Sequence, residues 1–323
     1  IYNVDGIGEK EIISGRIDGL YLLNSDGTFY NENWPIECDS SLPPVPVGGE
    51  VQSNLCIGSI RSSPAVGDIT GDGISEIAIK SRTFNMSEYI QLYNLDGELL
   101  DYFEHSFTGS NSYREDFTHS SVVFSDIDND GVFEVIYTIL GNDEETMGRV
   151  YVKDYSGEID NSWIGETDDR VISSPVVGDV NNDGNLEIVV ESEKSIYVFS
   201  HTGEVLHNWD FSSSIQDIEN PILADLNNDG FLEIIVSNGP FKRIYIWEYD
   251  GNNFLDRDYI NFQSFPNGAE RFIRIYQPLI GNIDGGLSPE IIVTALLYNT
   301  IETERGYQDI EYISGIYALH SDG

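Results

Sequence analysis

The chain has 323 residues, 56 of them Asp or Glu against 16 Lys or Arg, for a formal net charge of −40 at pH 7. Such a surface repels nucleic acid and anionic lipid headgroups, and so few cations leave no basic patch for either. No apolar run approaches the ~20 residues of a membrane-spanning helix, which excludes membrane insertion by that route.

In chain order, one unit recurs six times. A short apolar strand runs into an Asp/Asn-rich turn and leaves it through Glu into a second apolar strand. The first copy, NVDGIGEKEII, is truncated: Asn3, Asp5 and Glu11 survive, with Ile7 where a third oxygen belongs. Next come GLYLLNSDG and TFYNENW, expected as the third and fourth strands of that unit. The connection at 36–61 carries both cysteines, Cys38 and Cys56, beside Pro43-Pro44 and Gly48-Gly49. A disulfide stapling this insertion is expected, with two buried free thiols as the alternative.

The second copy, SSPAVGDITGDGISEIAI, places Asp68, Thr70, Asp72, the carbonyl of Ile74 and Glu76 around Gly73. The third, SSVVFSDIDNDGVFEVIY, offers Asp126, Asp128, Asp130, Val132 and Glu134 around Gly131. In the fourth, SSPVVGDVNNDGNLEIVV, the set is Asp179, Asn181, Asp183, Asn185 and Glu187 around Gly184. The fifth, NPILADLNNDGFLEIIV, repeats it as Asp225, Asn227, Asp229, Phe231 and Glu233 around Gly230. In the sixth, QPLIGNIDGGLSPEIIV, Asn282, Asp284 and Glu290 remain, but Gly286 and Leu287 stand where the third oxygen and the glycine belong.

Alternate side chains in a tightly curled segment converge on one point, and a glycine supplies the positive φ that reverses the chain. The product is a nest of carboxylate and carbonyl oxygens, which suits Ca²⁺ better than Mg²⁺ with its strict octahedron. Zinc is not expected, because the five His and two Cys never cluster at ligand spacing. Asp-Gly is also an ordinary hairpin signal, and Asp26-Gly27, Asp96-Gly97, Asp250-Gly251 and Asp322-Gly323 read as turns only. Four recurrences of the full frame predict about four Ca²⁺ sites, with weak ones at Asn3/Asp5/Glu11 and Asn282/Asp284/Glu290.

The anchors recur at intervals of 46 to 65 residues. After each loop come an apolar run such as EVIY, a second run usually carrying Tyr (IQLYNLDG, VYVKDYSG, IYVFSHTG, IYIWEYDG), and in most copies a more polar strand such as ELLDYFE or EVLHNWDF. With the strand before the loop, that makes four antiparallel strands per unit. Repeated four-stranded units predict an all-β fold, a β-propeller of six blades, or seven if further sequence supplies one.

On these motifs the chain resembles the FG-GAP/VCBS-type repeat family, the calcium-loop propellers related to the integrin α-subunit head. The motif (S)P-x-x-G-D-x-x-x-D-G-x-x-E-I carries the resemblance and is specific in four of the six copies. The Phe-Gly and Gly-Ala-Pro pair is replaced by Ser-Pro-Ala-Val-Gly at 63–67 and Ser-Pro-Val-Val-Gly at 174–178, so integrin-style ligand recognition is not implied. The resemblance implies one propeller domain over 1–323. The missing first and last strands predict a piece of a longer polypeptide, or a ring whose ends complete each other.

No G-x-S-x-G, H-E-x-x-H or phosphate-cradling glycine loop is present, and the expectation is a binding, adhesion or structural module rather than an enzyme. A carbohydrate-active lyase or hydrolase is the alternative on fold analogy, and an architectural surface-layer or filament component is another. Partners expected are a protein or glycan, or other domains of the same polypeptide. A protein or glycan ligand would dock on long connections at 36–61, 105–117, 263–274 and 298–313, which carry aromatics and Arg114, Arg271, Arg274 and Arg305. Weak calcium sites, a disulfide and high acidity favour an extracellular or cell-surface location.

Overall fold

The computed structural model describes residues 1–6, 8–39, 55–83, 87–105, 120–140, 147–155, 161–171, 173–210, 220–239, 241–262, 270–302 and 308–320. Among them there is no helix, and none long and apolar enough to cross a membrane. The strands form six antiparallel-rich sheets in chain order, the blade arrangement of a propeller-type all-β fold.

The chain folds as two compact units, Ile1–Pro175 with Thr202–Glu204, and Val176–His201 with Val205–Gly323. The first unit holds three sheets. One joins Ile12–Arg16, Gly19–Leu23, Ile36–Asp39 and Leu55–Ile57; the next is built on Glu76–Arg82, Glu88–Tyr93 and Leu99–His105; the third runs Val123–Ser125, Glu134–Ile139, Arg149–Lys153 and Trp163–Glu166. The second unit holds Val176–Gly178, Glu187–Glu191, Ser195–Phe199 and Val205–Asp210; then Ile222–Ala224, Glu233–Asn238, Arg243–Trp247 and Ile260–Asn261; then Glu290–Glu302 between Leu279–Gly281, Glu270–Ile275 and Gln308–Leu319.

The strand that follows each loop is a continuous apolar run because both of its faces are covered. Glu134–Ile139, Glu187–Glu191 and Glu233–Asn238 are buried at every position. Within the first unit, Ile69, Ala78 and Leu92 of one sheet pack on Val135 and Tyr137 of the next. Within the second, Leu226, Ile235 and Ile246 meet Ile275, Ile291 and Val293 in the same way. Each such aliphatic side chain contributes roughly 1.5–3 kcal/mol on burial.

The glycine of the repeated x-G-D motif has a packing reason. A Cβ on Gly67 would lie 2.5 Å from the Phe133 ring, and one on Gly178 3.0 Å from Leu223 and 3.1 Å from Leu232. In both places a side chain of the following sheet occupies the volume that a side chain here would need. The Ser-Ser signature is a second tie: Ser121 Oγ accepts from the Ser63 N–H (3.1 Å), and Ser174 Oγ accepts from the Ser121 N–H (2.8 Å).

One strand departs from the sequence reading. TFYNENW is not the fourth strand of the first unit; Ile36–Asp39 takes that place. The segment's polar groups are spent elsewhere: Asn31 Nδ2 and Trp34 Nε1 donate to the Leu95 carbonyl, and Asn33 Nδ2 donates to that of Asp96. Those bonds dock it on the neighbouring turn, and its ladder pairing is limited to an isolated Leu23–Phe29 bridge with the Tyr30 N–H donating to the Leu22 carbonyl. Beside Ile36–Asp39, Leu55–Ile57 runs parallel, with Cys38 opposite Cys56 and the two joined in a disulfide. The bridge closes a sequence separation of 18 residues, so replacing both cysteines by Ser should lower unfolding stability by about 2–4 kcal/mol in urea titrations. An unchanged midpoint would show that the bridge adds nothing.

His105 ends Leu99–His105 and packs on Tyr137 and Tyr151, with ring centroids 5.7 and 4.8 Å away. Burial, with the charges of Lys80 and Arg149, pushes its imidazole down to about 4. The unfolded chain therefore binds the proton first, so His105 costs stability as pH falls from its ordinary value near 6.5 towards 4. His105→Phe should lose less melting temperature than the native chain across that window. Superimposable pH profiles would refute the assignment.

Candidate metal centres

Each loop is tied by the same backbone bonds. The first-position carboxylate accepts from the N–H five residues on: Asp68 from Gly73 (2.7 Å), Asp126 from Gly131 (3.1 Å), Asp179 from Gly184 (2.9 Å) and Asp225 from Gly230 (3.0 Å). The fifth-position Asp accepts from the N–H two residues on, at 2.8–2.9 Å in Ile74, Val132, Asn185 and Phe231. Third-position groups behave alike, Asn181 and Asn227 accepting from Asp183 and Asp229, and Asp128 from Asp130. Thr70 instead gives its own N–H to Asp68.

The closing glutamate makes a longer strap. In all six copies its Oε2 accepts the N–H of the residue seven before it: Val4 to Glu11, Ile69 to Glu76, Ile127 to Glu134, Val180 to Glu187, Leu226 to Glu233 and Ile283 to Glu290, at 2.6–3.0 Å. All six glutamates are buried. The other oxygen is left for the loop, and Glu134 Oε1, Glu233 Oε1 and Asp126 Oδ1 are buried with no hydrogen-bond partner. Glu76, Glu134, Glu187 and Glu233 are each pushed up to about 7, chiefly by burial, opposed by the backbone hydrogen bond and reinforced by neighbouring carboxylates. The loops are short of positive charge, and an oxygen-only donor set with orphaned buried anionic oxygens fits a hard divalent cation.

The backbone reversal has two left-handed positions rather than the one that the motif advertises. Gly73, Gly131, Gly184 and Gly230 have φ of 86°, 93°, 90° and 93°, and the fourth position is left-handed as well, at Gly71 (74°), Asn129 (61°), Asn182 (56°) and Asn228 (61°). The signal in the sequence was a Gly or Asn at that slot in every full copy, the residue types that tolerate positive φ.

Residues from outside the motif also reach the loops. The register pairs Val135 with Lys153, Ile234 with Trp247 and Ile291 with Leu319, so the next step in each ladder sets the closing glutamate against Asp154, Glu248 and His320. Carboxylates of Asp126, Asp128 and Glu134 come within 4.8 Å of one another, as do those of Asp229, Glu233 and Glu248, and the ligand atoms of Asp284, Glu290 and His320. Among the described residues, the Asp68 and Asp179 loops bring no such trio together. The last of these groups contains a histidine that chain spacing did not point to: strand register delivers His320.

The degenerate loops keep the strap but not the full set of oxygens, although the first retains both left-handed positions, Gly6 (69°) and Gly8 (81°). Asp5 accepts from the Tyr30 hydroxyl at 3.3 Å, and Ile7 lies outside the described residues. In the sixth loop only Gly285 is left-handed, and Ile283 is exposed, whereas its counterparts Val4, Ile69, Ile127, Val180 and Leu226 are buried. Of the connections expected to meet a partner, most of 105–117 lies outside the described residues, as do Arg114 and Arg305, and the Asp322-Gly323 pair does too. Arg271 and Arg274 fall on the strand Glu270–Ile275.

Residues 126–190 match the model of the FG-GAP-like repeat. The chain contains an FG-GAP-like repeat. It begins at Asp126, the first position of its loop, and ends in the strand after the Asp179 loop. No curated protein sequence matches the chain. Among solved structures, the Vibrio cholerae biofilm matrix protein Bap1 aligns over 98% of this chain and 60% of its own, at 16% identity and a TM-score of 0.41. The C-terminal domain of Pseudomonas aeruginosa PilY1 aligns over 71% of this chain and 58% of its own, at 13% identity and 0.47. The Neurospora crassa Pan2 WD40 domain aligns over 83% and 69%, at 12% identity and 0.41. The chain thus spans about three fifths of the first two.

Asn129 separates backbone conformation from ion binding. With chelator present, Asn129→Gly should leave stability within a few tenths of a kcal/mol, while Asn129→Val should lose about 1–2 kcal/mol through the left-handed penalty. Equal stability of the two variants in urea titrations would contradict the assignment.

Proposed function

We propose that the four full loops each bind one Ca²⁺, and that the chain is a calcium-braced β-propeller. Its repeats, anchored at 3, 68, 126, 179, 225 and 282, serve as blades of a binding, adhesion or structural module outside the cytoplasm. The observation that carries this reading is the set of buried anionic oxygens with no hydrogen-bond donor, Asp126 Oδ1, Glu134 Oε1 and Glu233 Oε1. An anion removed from water without a donor is costly, and a cation at that point removes the cost. The third and fifth side chains, the carbonyls of Ile74, Val132, Asn185 and Phe231, and the closing glutamates complete an oxygen cage of Ca²⁺ type. The ion's role is structural: it offsets carboxylate repulsion where the loop enters the strand.

A Cys38–Cys56 disulfide and loops suited to weak, millimolar-range calcium support an extracellular or cell-surface setting. Four divalent ions would leave most of the −40 charge in place, so the remaining acidity keeps the surface soluble and averse to nucleic acid. A protein or glycan is the partner class that fits the aromatic and arginine-bearing connections.

Ions that bind only the folded form stabilise by mass action, about 2.7 kcal/mol per site at a free concentration of 100 Kd. Melting temperature should climb with Ca²⁺ and fall in excess EGTA, and Glu134→Gln should blunt the gain. Indistinguishable melting curves in EGTA and millimolar Ca²⁺ would sink the reading. The Asp126 loop, with four carboxylates in its frame and Asp154 facing them, should fill first. Calorimetric titration of Asp126→Asn should therefore abolish the tightest class of sites, whereas Asp179→Asn should spare it.

A further inference from the structure

The sixth loop is where the calcium frame fails, and it is also where a nitrogen donor arrives. Asn282 is consumed internally, its Oδ1 accepting from the Gly285 N–H (2.7 Å) and its Nδ2 donating to the Gly286 carbonyl (2.6 Å). Leu287, in the glycine slot, is 94% exposed and contributes no side-chain oxygen. What remains is Asp284 and Glu290. The pairing of Ile291 with Leu319 then sets His320 beside Glu290 across the ladder. Glu290 is 3% exposed. Its Oε2 is committed to the Ile283 N–H, and its Oε1 lies 3.7 Å from His320 Nδ1, beyond hydrogen-bond length.

We infer that this loop is a site for a first-row transition cation of the Zn²⁺ class, held by His320 Nδ1, Glu290 Oε1 and an Asp284 carboxylate oxygen. One ligand atom from each residue already lies within 4.8 Å of the others. Two atoms bound to one such ion at ~2.0–2.2 Å stand roughly 3–3.6 Å apart, so the 3.7 Å between Nδ1 and Oε1 needs to close by only a few tenths of an ångström. Imidazole selects zinc, copper, iron or nickel over calcium, and three N/O ligands with an open fourth position form a familiar zinc set. His320 is 71% exposed, so the fourth position faces water. At the equivalent place the other repeats carry Asn24, Asn94, Asp154, Ser200 and Glu248, all oxygen-bearing, so the change of chemistry is confined to this loop. The site does not depend on the calcium reading of the four full loops.

The test uses the tag-free chain, stripped with EDTA and titrated with Zn²⁺ by calorimetry in both the presence and the absence of millimolar Ca²⁺, with Co²⁺ absorption as the spectroscopic probe. One equivalent of Zn²⁺ should bind in both conditions, and Co²⁺ should develop visible d–d bands. His320→Ala and Asp284→Asn, both at exposed positions, should each weaken Zn²⁺ by at least about tenfold, the loss that even outer-shell partners of a metal produce. Asp126→Asn should leave Zn²⁺ binding unchanged. Absence of a Zn²⁺ isotherm, binding indifferent to His320→Ala, or displacement of Zn²⁺ by equimolar Ca²⁺ would each overturn the site. A chain that binds Zn²⁺ but melts identically with and without Ca²⁺ would strike only the calcium reading.

Discussion

Everything in the loops is arranged around one buried carboxylate strapped to a backbone N–H seven residues earlier. The donor residue carries an apolar side chain that, in five of six copies, sits in the core, so one residue fixes the loop by its side chain and by its amide at once. The strap uses only one carboxylate oxygen. The second oxygen is held out of water at a place where the chain has already gathered other carboxylates. Fold and charge therefore pull in opposite directions, and the rise of these glutamates to about 7 expresses that conflict. A cation at that point would resolve the conflict and leave the strap in place. The strap is retained in both degenerate copies, so it does not require the full set of loop oxygens.

The loops are also coupled to their neighbours within each unit. The Phe133 N–H donates to the Asp68 carbonyl, and the Leu232 N–H donates to that of Val180. Asn228 Nδ2 donates to the Leu287 carbonyl. With Gly67 pressed on Phe133 and Gly178 on Leu223 and Leu232, the geometry of one loop bears on the packing of the next sheet. A change in loop geometry would thereby act on an inter-sheet contact.

The interior contains an ionic device of a different kind. Lys80 and Glu88 are 5% and 4% exposed and 3.2 Å apart, and Lys80 Nζ also donates to Ser120 Oγ and the Thr138 carbonyl. Lys80 is hydrogen-bonded here while Glu88 Oε2 has the ammonium charge but no hydrogen-bond donor, and a buried pair of this kind specifies one arrangement of adjacent sheets more than it adds net stability. Loop and interior thus handle burial of charge differently, the interior with an internal cation and the loops with buried anionic oxygens that no protein donor reaches.

Much of this was legible in the residues alone. Each ligand frame is a short stretch, Asp126 to Glu134 for instance, and the strand that follows it is contiguous, so the alternate-residue and apolar patterns that encode them are local. The x-G-D glycine and the Gly/Asn of the fourth slot were also visible as repeats, although their reasons, a neighbour's ring and a left-handed backbone, were not. The displacement of TFYNENW by Ile36–Asp39, the approach of Asp154, Glu248 and His320 to the closing glutamates, and the pairing of Lys80 with Glu88 came only with the tertiary structure. Each depends on which residue faces which across a ladder. Register is set by the joint packing of whole sheets and their turns, and no window of the chain contains it.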